Sequence, residues 1–271
     1  MTHIIRVFPR RTSLTPTDDL AFIGEPPLFR PDADEVHVSC TFTWDKSQAE
    51  RLAHAWSGYY KTVKLGGPAY DDPGGEFIPG MYLKVGATIT SRGCPKRCSF
   101  CFVPKREGNL RTLPIREGNN VLDNNLLACP PAHVEAVFEM LRTQSKVMFN
   151  GGLDADYFEP YHIDMLKSIR LCQIFFAADR RVPPSLRRVA ELLKGFSREK
   201  KRCFVLIGYQ TDTLAQATAR LEEVWSLGFI PFAQFYRGPD EQRRTREWQQ
   251  LQRTWSRPAA TKARMKETVF A

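Results

Sequence analysis

The sequence lacks any long hydrophobic run. No apolar stretch approaches the roughly 20 residues that a membrane-spanning helix needs. The segment from Met1 to Leu20 is broken by Pro9, Arg10, Arg11 and Pro16, so it contains no apolar run of signal-peptide length. Internal repeats and low-complexity segments are also absent. We therefore expect a cytoplasmic protein with no membrane contact, and the composition gives no sign of disorder.

A paired general acid and base is also missing from the sequence. Four of the five histidines (His37, His54, His133 and His162) are scattered singly, and we interpret each as structural. No catalytic acid or base is therefore assigned. Cysteine is better represented, with seven residues. Because disulfides are rare in cytosolic proteins, an odd number of cysteines favours free thiols or metal ligands.

The N-terminal segment 1–80 combines Pro- and Gly-rich loops with one predicted strand–helix–strand unit. Alternating β-branched residues predict a strand over 35–42, and helical spacing predicts a helix over 46–59. A second short strand is predicted over 61–65. We interpret residues 1–80 as a small N-terminal β-α-β extension.

Strand-like and helix-like segments alternate regularly from residue 82 onward. The predicted strands are 82–90, 146–150, 171–177, 201–207 and 230–235, and the predicted helices are 131–142, 161–170, 184–194 and 213–227. Such alternation indicates right-handed β-α-β units and a parallel sheet. The predicted fold class is α/β, and five strands are too few for a closed eight-stranded barrel. We expect a partial parallel (β/α) barrel or an open parallel sheet over 81–240, followed by a basic C-terminal helix and tail over 241–271.

Three cysteines are clustered directly after the first predicted strand of this core. Cys94, Cys98 and Cys101 have the spacing C-x3-C-x2-C. Active sites of parallel α/β folds lie in loops at the carboxyl ends of strands. Three thiolates can hold three irons of a [4Fe–4S] cluster and leave the fourth iron open to an outside ligand. The spacing therefore predicts a catalytic iron–sulfur site.

Neighbouring residues suit an anionic cluster. Arg92, Lys96 and Arg97 supply positive charge, and Gly93 permits a tight turn. Phe100 would limit the access of solvent to the cluster, which tunes its reduction potential. The alternative is a zinc-stabilised module that binds nucleic acid without catalysis. Zinc would need a fourth ligand, and the nearest is Cys129, beyond a long gap.

The cysteine segment resembles a known family. The string Thr-Ser-Arg-Gly-Cys-Pro-x-Arg-Cys-Ser-Phe-Cys, with an aromatic residue just before the last cysteine, is similar to the hallmark of the radical S-adenosylmethionine (SAM) superfamily. It looks most like the branch of methylthiotransferases and cobalamin-domain radical SAM enzymes. The resemblance covers about residues 80–240 and implies the partial barrel of the radical SAM type.

The resemblance also implies cofactors, chemistry and partners. The cofactors are one [4Fe–4S] cluster and S-adenosyl-L-methionine, and a reductant protein such as flavodoxin or ferredoxin would deliver electrons. In the family, an electron from the cluster cleaves SAM, and the 5′-deoxyadenosyl radical abstracts hydrogen from a substrate. We expect a radical SAM enzyme whose substrate, a nucleic-acid base or a small metabolite, is not identified by the sequence.

Further site residues are carried over from the family by position. Gly151 and Gly152 match the Gly-Gly-Glu-like turn that meets the amino group of SAM, while Leu153 stands where the acid is often found. Asp179 ends a middle strand, where a polar residue often binds the ribose. Gly208 lies in an Ile-Gly segment that family members place near the adenine, so it would let the base approach closely.

The chain departs from the named branches of the family. Only Cys40 precedes the motif, and only a short segment follows the last predicted strand, so neither the second cluster nor the RNA-binding barrel of methylthiotransferases is expected. Cobalamin-dependent members carry an Asp-x-His-x-x-Gly loop, and segment 1–80 contains no such string. Cobalamin is therefore not expected. Cys129 is the most plausible ligand of an auxiliary cluster, because Cys172 and Cys203 fall within predicted strands and are expected to pack as small hydrophobes.

The C-terminal segment is basic. The net charge of the chain is +9, and residues 237–271 hold nine Lys and Arg against four Asp and Glu. A helix is predicted over 238–256, with Trp248, Leu251 and Trp255 on one face. It either closes the core with a solvated basic face or contacts the phosphates of a nucleic acid.

Overall fold

The computed structural model describes residues 2–72, 75–238 and 243–267. Its strands are β1 (Ile4–Phe8), β2 (Ala21–Ile23), β3 (Glu35–Ser39), β4 (Val63–Gly66), β5 (Ala87–Thr88), β6 (Ser91–Arg92), β7 (Arg111–Thr112), β8 (Asn120–Val121), β9 (Val147–Phe149), β10 (Leu171–Ala178), β11 (Lys201–Ile207) and β12 (Ile230–Phe235). Its helices are α1 (Lys46–Ser57), α2 (Val103–Arg106), α3 (Pro131–Arg142), α4 (Tyr161–Lys167), α5 (Pro184–Leu192), α6 (Leu214–Ser226), α7 (Arg246–Trp255) and α8 (Pro258–Glu267).

The N-terminal segment forms a four-stranded parallel sheet of order β2-β1-β3-β4. The predicted strand–helix–strand unit corresponds to β3, α1 and β4, but β1 and β2 were not predicted. β1 is interrupted by Arg6, whose side chain is buried and donates to the Gly80 carbonyl at 3.2 Å. It also pairs with Asp18. A buried charge in the middle of a short apolar run breaks the hydrophobic pattern from which a strand is predicted.

The second sheet has six parallel strands in the order β12-β11-β10-β9-β8-β5. Strands that follow one another along the chain within this sheet also lie side by side in it, as in a barrel built from consecutive β-α units. Among the described residues β5 and β12 do not pair with each other, so the barrel is open. This confirms the predicted partial parallel barrel, with six strands in place of five.

Most differences from the predicted elements concern very short strands. β8 has only two residues and was missed, and the strand predicted over 82–90 is reduced to β5, with β6 following it. β6 pairs antiparallel with β7 and closes the base of the loop between them. Helix α8 was also missed, because its sequence has no apolar stripe.

Helices cover the outer face of the six-stranded sheet. Phe138 of α3 packs on Phe149 of β9 at a ring separation of 5.5 Å. Trp248 and Trp255 of α7 are buried, and Trp248 meets Phe235 of β12 at 5.6 Å. The predicted apolar face of the C-terminal helix is therefore confirmed, although α7 begins at Arg246 and residues 239–242 lie outside the described chain. Within the described segments, none of the helices combines the length and apolarity that crossing a bilayer requires.

The carboxyl ends of the two sheets meet at the mouth of the barrel. Asp71, after β4, pairs with Lys105 of α2 at 2.7 Å, and Glu76 pairs with Arg116. Trp44, after β3, lies 4.4 Å from the guanidinium of Arg237, which follows β12. The N-terminal sheet is therefore tied to the segment that follows the cysteine motif.

Candidate active site

The cysteine loop runs from β6 to α2 and contains all three cysteines of the motif. Cys94, Cys98 and Cys101 are half-buried, and none of the seven cysteines forms a disulfide. The backbone N–H of Cys101 donates to the carbonyl of Cys98 at 3.0 Å, and the N–H of Val103 donates to the sulfur of Cys101 at 3.4 Å. Burial raises the pKa of the Cys98 and Cys101 thiols, and nearby charges on the other cysteines and on Asp179 contribute.

Gly93 is required by the close approach of two segments. Its φ of +82° lies in the left-handed region. A Cβ at this position would lie 2.6 Å from the carbonyl carbon of Asn109 and 2.9 Å from the nitrogen of Leu110. The turn predicted at Gly93 is present, and only glycine allows the start of the cysteine loop to lie against the 108–110 segment.

Three consecutive residues after β8 hold the start of the cysteine loop. Asp123 is buried and accepts from the N–H and the hydroxyl of Thr90, at 2.7 and 2.6 Å, and from the hydroxyl of Ser91 at 2.6 Å. The side-chain carbonyl of Asn124 accepts from the N–H of Gly93 at 2.9 Å. Burial raises the pKa of Asp123, although its hydrogen bonds oppose the shift. Sequence reasoning missed this set, because its members act through contacts with residues that lie far back along the chain.

Asn125 completes the set and connects the cysteine loop to the segment after β9. Its Nδ2 donates to the sulfur of Cys94 at 3.3 Å and to Oδ2 of Asp154 at 2.9 Å. Lys96 reaches the same site from the cysteine loop, with Nζ 2.6 Å from Oδ1 of Asp154 and 2.6 Å from Oδ2 of Asp156. Burial lowers the pKa of Lys96, but the two carboxylates outweigh it and hold this pKa above its usual value.

Asp154 is an acidic residue beside the cysteine loop that the sequence analysis did not single out. The family motif directed attention to Leu153, which is buried in the core. Asp154 stands one residue later and faces the cysteine loop.

The glycines before it have separate roles. A Cβ on Gly151 would lie 2.7 Å from the backbone of Leu122, whereas Gly152 has φ of +93° and a Cβ there would meet no atom nearer than 3.9 Å.

Asp179 follows β10 directly, within electrostatic range of the cysteines. Burial raises its pKa to about 6, with Lys96 and Arg220 opposing the shift and Asp154 adding to it. It lines a cavity of about 650 Å³ together with Arg180, Arg181 and Tyr209. The structure therefore brings Asp179 near the cysteine loop, whereas its contact with SAM stays a prediction.

The segment after β11 contacts the cysteine loop through Tyr209. Its hydroxyl donates to that of Ser99 at 3.1 Å, and its ring meets Phe100 edge-on at 5.8 Å. Gly208, which was predicted to admit the adenine, has another reason to be glycine. Its φ is +71°, and a Cβ there would lie 2.9 Å from ring carbons of Phe235.

The cysteines outside the motif do not join it. Cys129 and Cys203 are buried in the core. Cys172 was expected to be buried, but it is exposed. The register between β9 and β10 shifts at this residue, which turns its side chain outward. Across the described ranges, no three Cys, His, Asp or Glu side chains are arranged to hold a metal ion, so the ligand roles of Cys94, Cys98 and Cys101 stay a prediction.

Comparisons with known proteins give one informative result. No protein-family model matches the sequence, and no curated protein matches it significantly. Among solved structures, the chain is similar to the radical S-adenosylmethionine methyltransferase TsrM from Kitasatospora setae, described with cobalamin and a [4Fe–4S] cluster bound. The similarity covers 87% of this chain and 75% of that chain, with a TM-score of 0.64 and 11% sequence identity. The chain has the radical SAM fold.

This confirms the fold that the cysteine motif suggested. In the radical SAM fold of this chain, the Gly-Gly turn, Asp179 and Tyr209 follow strands of one parallel sheet at their carboxyl ends, and the cysteine loop follows β5 of that sheet after the short strand β6. That is the edge at which α/β folds bind their ligands.

Positive charge near the site is largely paired. Arg92 and Arg111 both contact Glu107, each at 3.2 Å, and Arg116 is paired with Glu76. On the C-terminal helix, Arg246 and Arg253 are exposed. Positive charge around the cysteine loop is therefore partly neutralised, whereas the two arginines of α7 face solvent.

Proposed function

We propose that this protein is a radical SAM enzyme that binds one [4Fe–4S] cluster through Cys94, Cys98 and Cys101. The observation that carries the proposal is the cysteine loop itself, held at the carboxyl edge of a radical SAM barrel by Asp123, Asn124 and Asn125. The kind and number of donors support a four-iron cluster with one open iron, because three free thiols share one loop and, within the described chain, no fourth cysteine joins them. A cavity of about 480 Å³ borders Cys94, Pro95 and Arg97 of the same loop.

Each neighbouring group has a role in this proposal. When bound, the cluster would supply the electron that splits SAM into methionine and a 5′-deoxyadenosyl radical. The backbone of Gly152, free of a side chain, would contact the amino group of the methionine part, and Asp179 would accept from the ribose hydroxyls. Phe100 and Tyr209 would exclude water, which protects a radical from side reactions.

The decisive experiment is anaerobic. The purified protein would be reconstituted with iron and sulfide, mixed with SAM and dithionite, and assayed for 5′-deoxyadenosine. We expect product from the wild type and none from Cys98→Ala, while Cys129→Ser, a substitution in the core, keeps it. A wild-type protein that binds no iron would refute the proposal.

The zinc-stabilised module remains the alternative from another class. It would need Cys129 as the fourth ligand, and that thiol lies in the hydrophobic core with its sulfur 3.9 Å from the Asn125 carbonyl. Metal analysis distinguishes the two, since a four-iron cluster is brown and zinc is colourless. One equivalent of zinc, lost in both Cys98→Ala and Cys129→Ser, would favour the module.

A corrinoid is a second candidate cofactor. The sequence argues against it because the Asp-x-His-x-x-Gly string is absent. One feature of the structure supports it, since residues 4–66 form a four-stranded parallel sheet whose carboxyl edge faces the barrel. TsrM is described with cobalamin bound. Hydroxocobalamin that stays with the protein through gel filtration and changes its visible spectrum would support methyl transfer; cobalamin that elutes freely would exclude it.

The partners are also proposals. An acidic electron carrier of the flavodoxin or ferredoxin class would reduce the cluster. A nucleic acid would contact the exposed arginines of α7, and its affinity would then fall steeply with salt. Fluorescence anisotropy with a labelled oligonucleotide at two salt concentrations, comparing the wild type with the double variant Arg246→Gln and Arg253→Gln, tests the second.

A further inference from the structure

The side chain of Asn125 is buried beside the cysteine motif. It is 3% exposed, and its Nδ2 lies 3.3 Å from the sulfur of Cys94 and 2.9 Å from Oδ2 of Asp154. An ionised carboxylate can only accept hydrogen bonds, so the contact with Asp154 identifies this end of the amide as the NH₂ group. Its two hydrogens then serve Asp154 and Cys94.

The donor is held in place from several sides. Lys96 binds the other oxygen of Asp154, so the carboxylate that orients the amide is itself fixed. The preceding residues, Asp123 and Asn124, hold Thr90, Ser91 and Gly93, so the backbone at Asn125 cannot shift independently of the cysteine loop. The amide oxygen of Asn125 is buried and has no partner among the described residues. The NH₂ end alone therefore engages the site.

Hydrogen bonds to the three sulfurs of the motif are unequal. Within the described chain, Cys94 receives one from Asn125, Cys101 receives one from the N–H of Val103, and no donor contacts Cys98. The bond from Asn125 is the only one of these that comes from a side chain, so substitution can remove it without altering the backbone.

We propose that Asn125 raises the reduction potential of the cluster by donating a hydrogen bond to the sulfur of Cys94. The inference rests on the proposed function, since it requires the cluster. Reduction adds an electron to the cluster and increases the negative charge on its sulfur ligands. A donor aimed at such a sulfur stabilises the reduced form more than the oxidised form, and hydrogen bonds to sulfur are among the factors that set these potentials.

The test is a redox titration followed by EPR on reconstituted wild type, Asn125→Leu and Asn119→Leu. Leucine has nearly the shape of asparagine and no donor. Asn119 is the matched control, because it precedes β8 as Asn125 follows it, and its amide donates to the Ser145 carbonyl at 2.8 Å, away from the cysteines. We expect a more negative midpoint potential for Asn125→Leu and an unchanged one for Asn119→Leu.

A second measurement detects the hydrogen bond from Asn125 itself. It distinguishes a changed reduction potential caused by loss of this bond from one caused by a disordered loop. Pulsed EPR of the reduced cluster after exchange into D₂O should show an exchangeable proton coupling in the wild type that Asn125→Leu lacks. If Asn125→Leu fails to fold, Asn125→Ala removes the same donor without adding bulk or charge and gives the same expectation. A fully loaded variant with the wild-type potential would overturn the inference and leave the proposed function standing. A wild type without iron would overturn both.

Discussion

Replacement of Gly93 by alanine tests whether the close approach of two segments controls the cysteine loop. The left-handed conformation costs an alanine about 1–2 kcal/mol. The added Cβ would also overlap the backbone of Asn109 and Leu110, which cannot rotate away as a side chain can, and such overpacking adds about 1–3 kcal/mol. We expect the Gly93→Ala protein to lose about 2–5 kcal/mol in total by the sum of these two effects.

The facing 108–110 segment provides a matched control. Gly108 also has a left-handed φ, of +68°, but a Cβ there would meet no atom within 4 Å. Gly108→Ala should therefore lose only the conformational part, about 1–2 kcal/mol. Both substitutions add the same methyl group in the same pair of facing segments, so their difference isolates the overlap at Gly93.

Thermal unfolding and iron content are the two measurements. One kcal/mol corresponds to about 2–4 °C in a domain of this size, so Gly93→Ala should unfold several degrees below Gly108→Ala. Relieving the overlap must move either Cys94 or the 108–110 segment, so iron bound per chain should also fall in Gly93→Ala alone. Equal melting temperatures and equal iron content in the two variants would refute the reasoning.

Three further predictions concern the neighbours of the cysteine loop. Lys96→Met breaks the contacts with Asp154 and Asp156, and iron retained under a chelator should drop roughly tenfold, as for supporting partners of metal ligands; Lys167→Met, at the exposed ion pair with Asp164, should retain it. Because the pKa of Asp179 is raised from 3.8 to about 6 in the folded state, the protein should lose stability as pH rises between these values, and urea unfolding of Asp179→Asn should lack this slope. Gly208→Ala should destabilise the protein even without SAM, since its Cβ would meet Phe235; an unchanged melting temperature of the SAM-free protein would contradict that role.

The parts of the fold that periodicity predicts are long and buried. β11 and β12 begin and end at the predicted residues, as does α3. β8 was not predicted, because a strand of two residues is too short to show an alternating pattern. β1 escaped because Arg6 interrupts its apolar pattern, and only the distant Gly80 carbonyl and Asp18 explain why a charge is tolerated there.

The candidate site likewise contains one part that the sequence predicts and another that it does not. The cysteine motif is local in sequence, so its spacing alone indicated a loop with metal chemistry. Asp123, Asn125 and Asp154 act across long stretches of intervening chain, and no spacing rule relates them to Cys94. Their role follows only from the parallel order of β5, β8 and β9, which places the ends of these strands side by side.

The ties between the two sheets have a thermodynamic consequence. Asp71 and Glu76 of the N-terminal part hold Lys105 and Arg116, which follow the cysteine motif in the chain. Any molecule whose binding to the N-terminal part displaces these carboxylates must change the free energy of the cysteine loop. Binding effects of this kind are reciprocal. If the displacing molecule changes the affinity of the cysteine loop for its cluster by some factor, the cluster changes the affinity for that molecule by the same factor. Binding measured on either side of the mouth would thus report on the occupancy of the other.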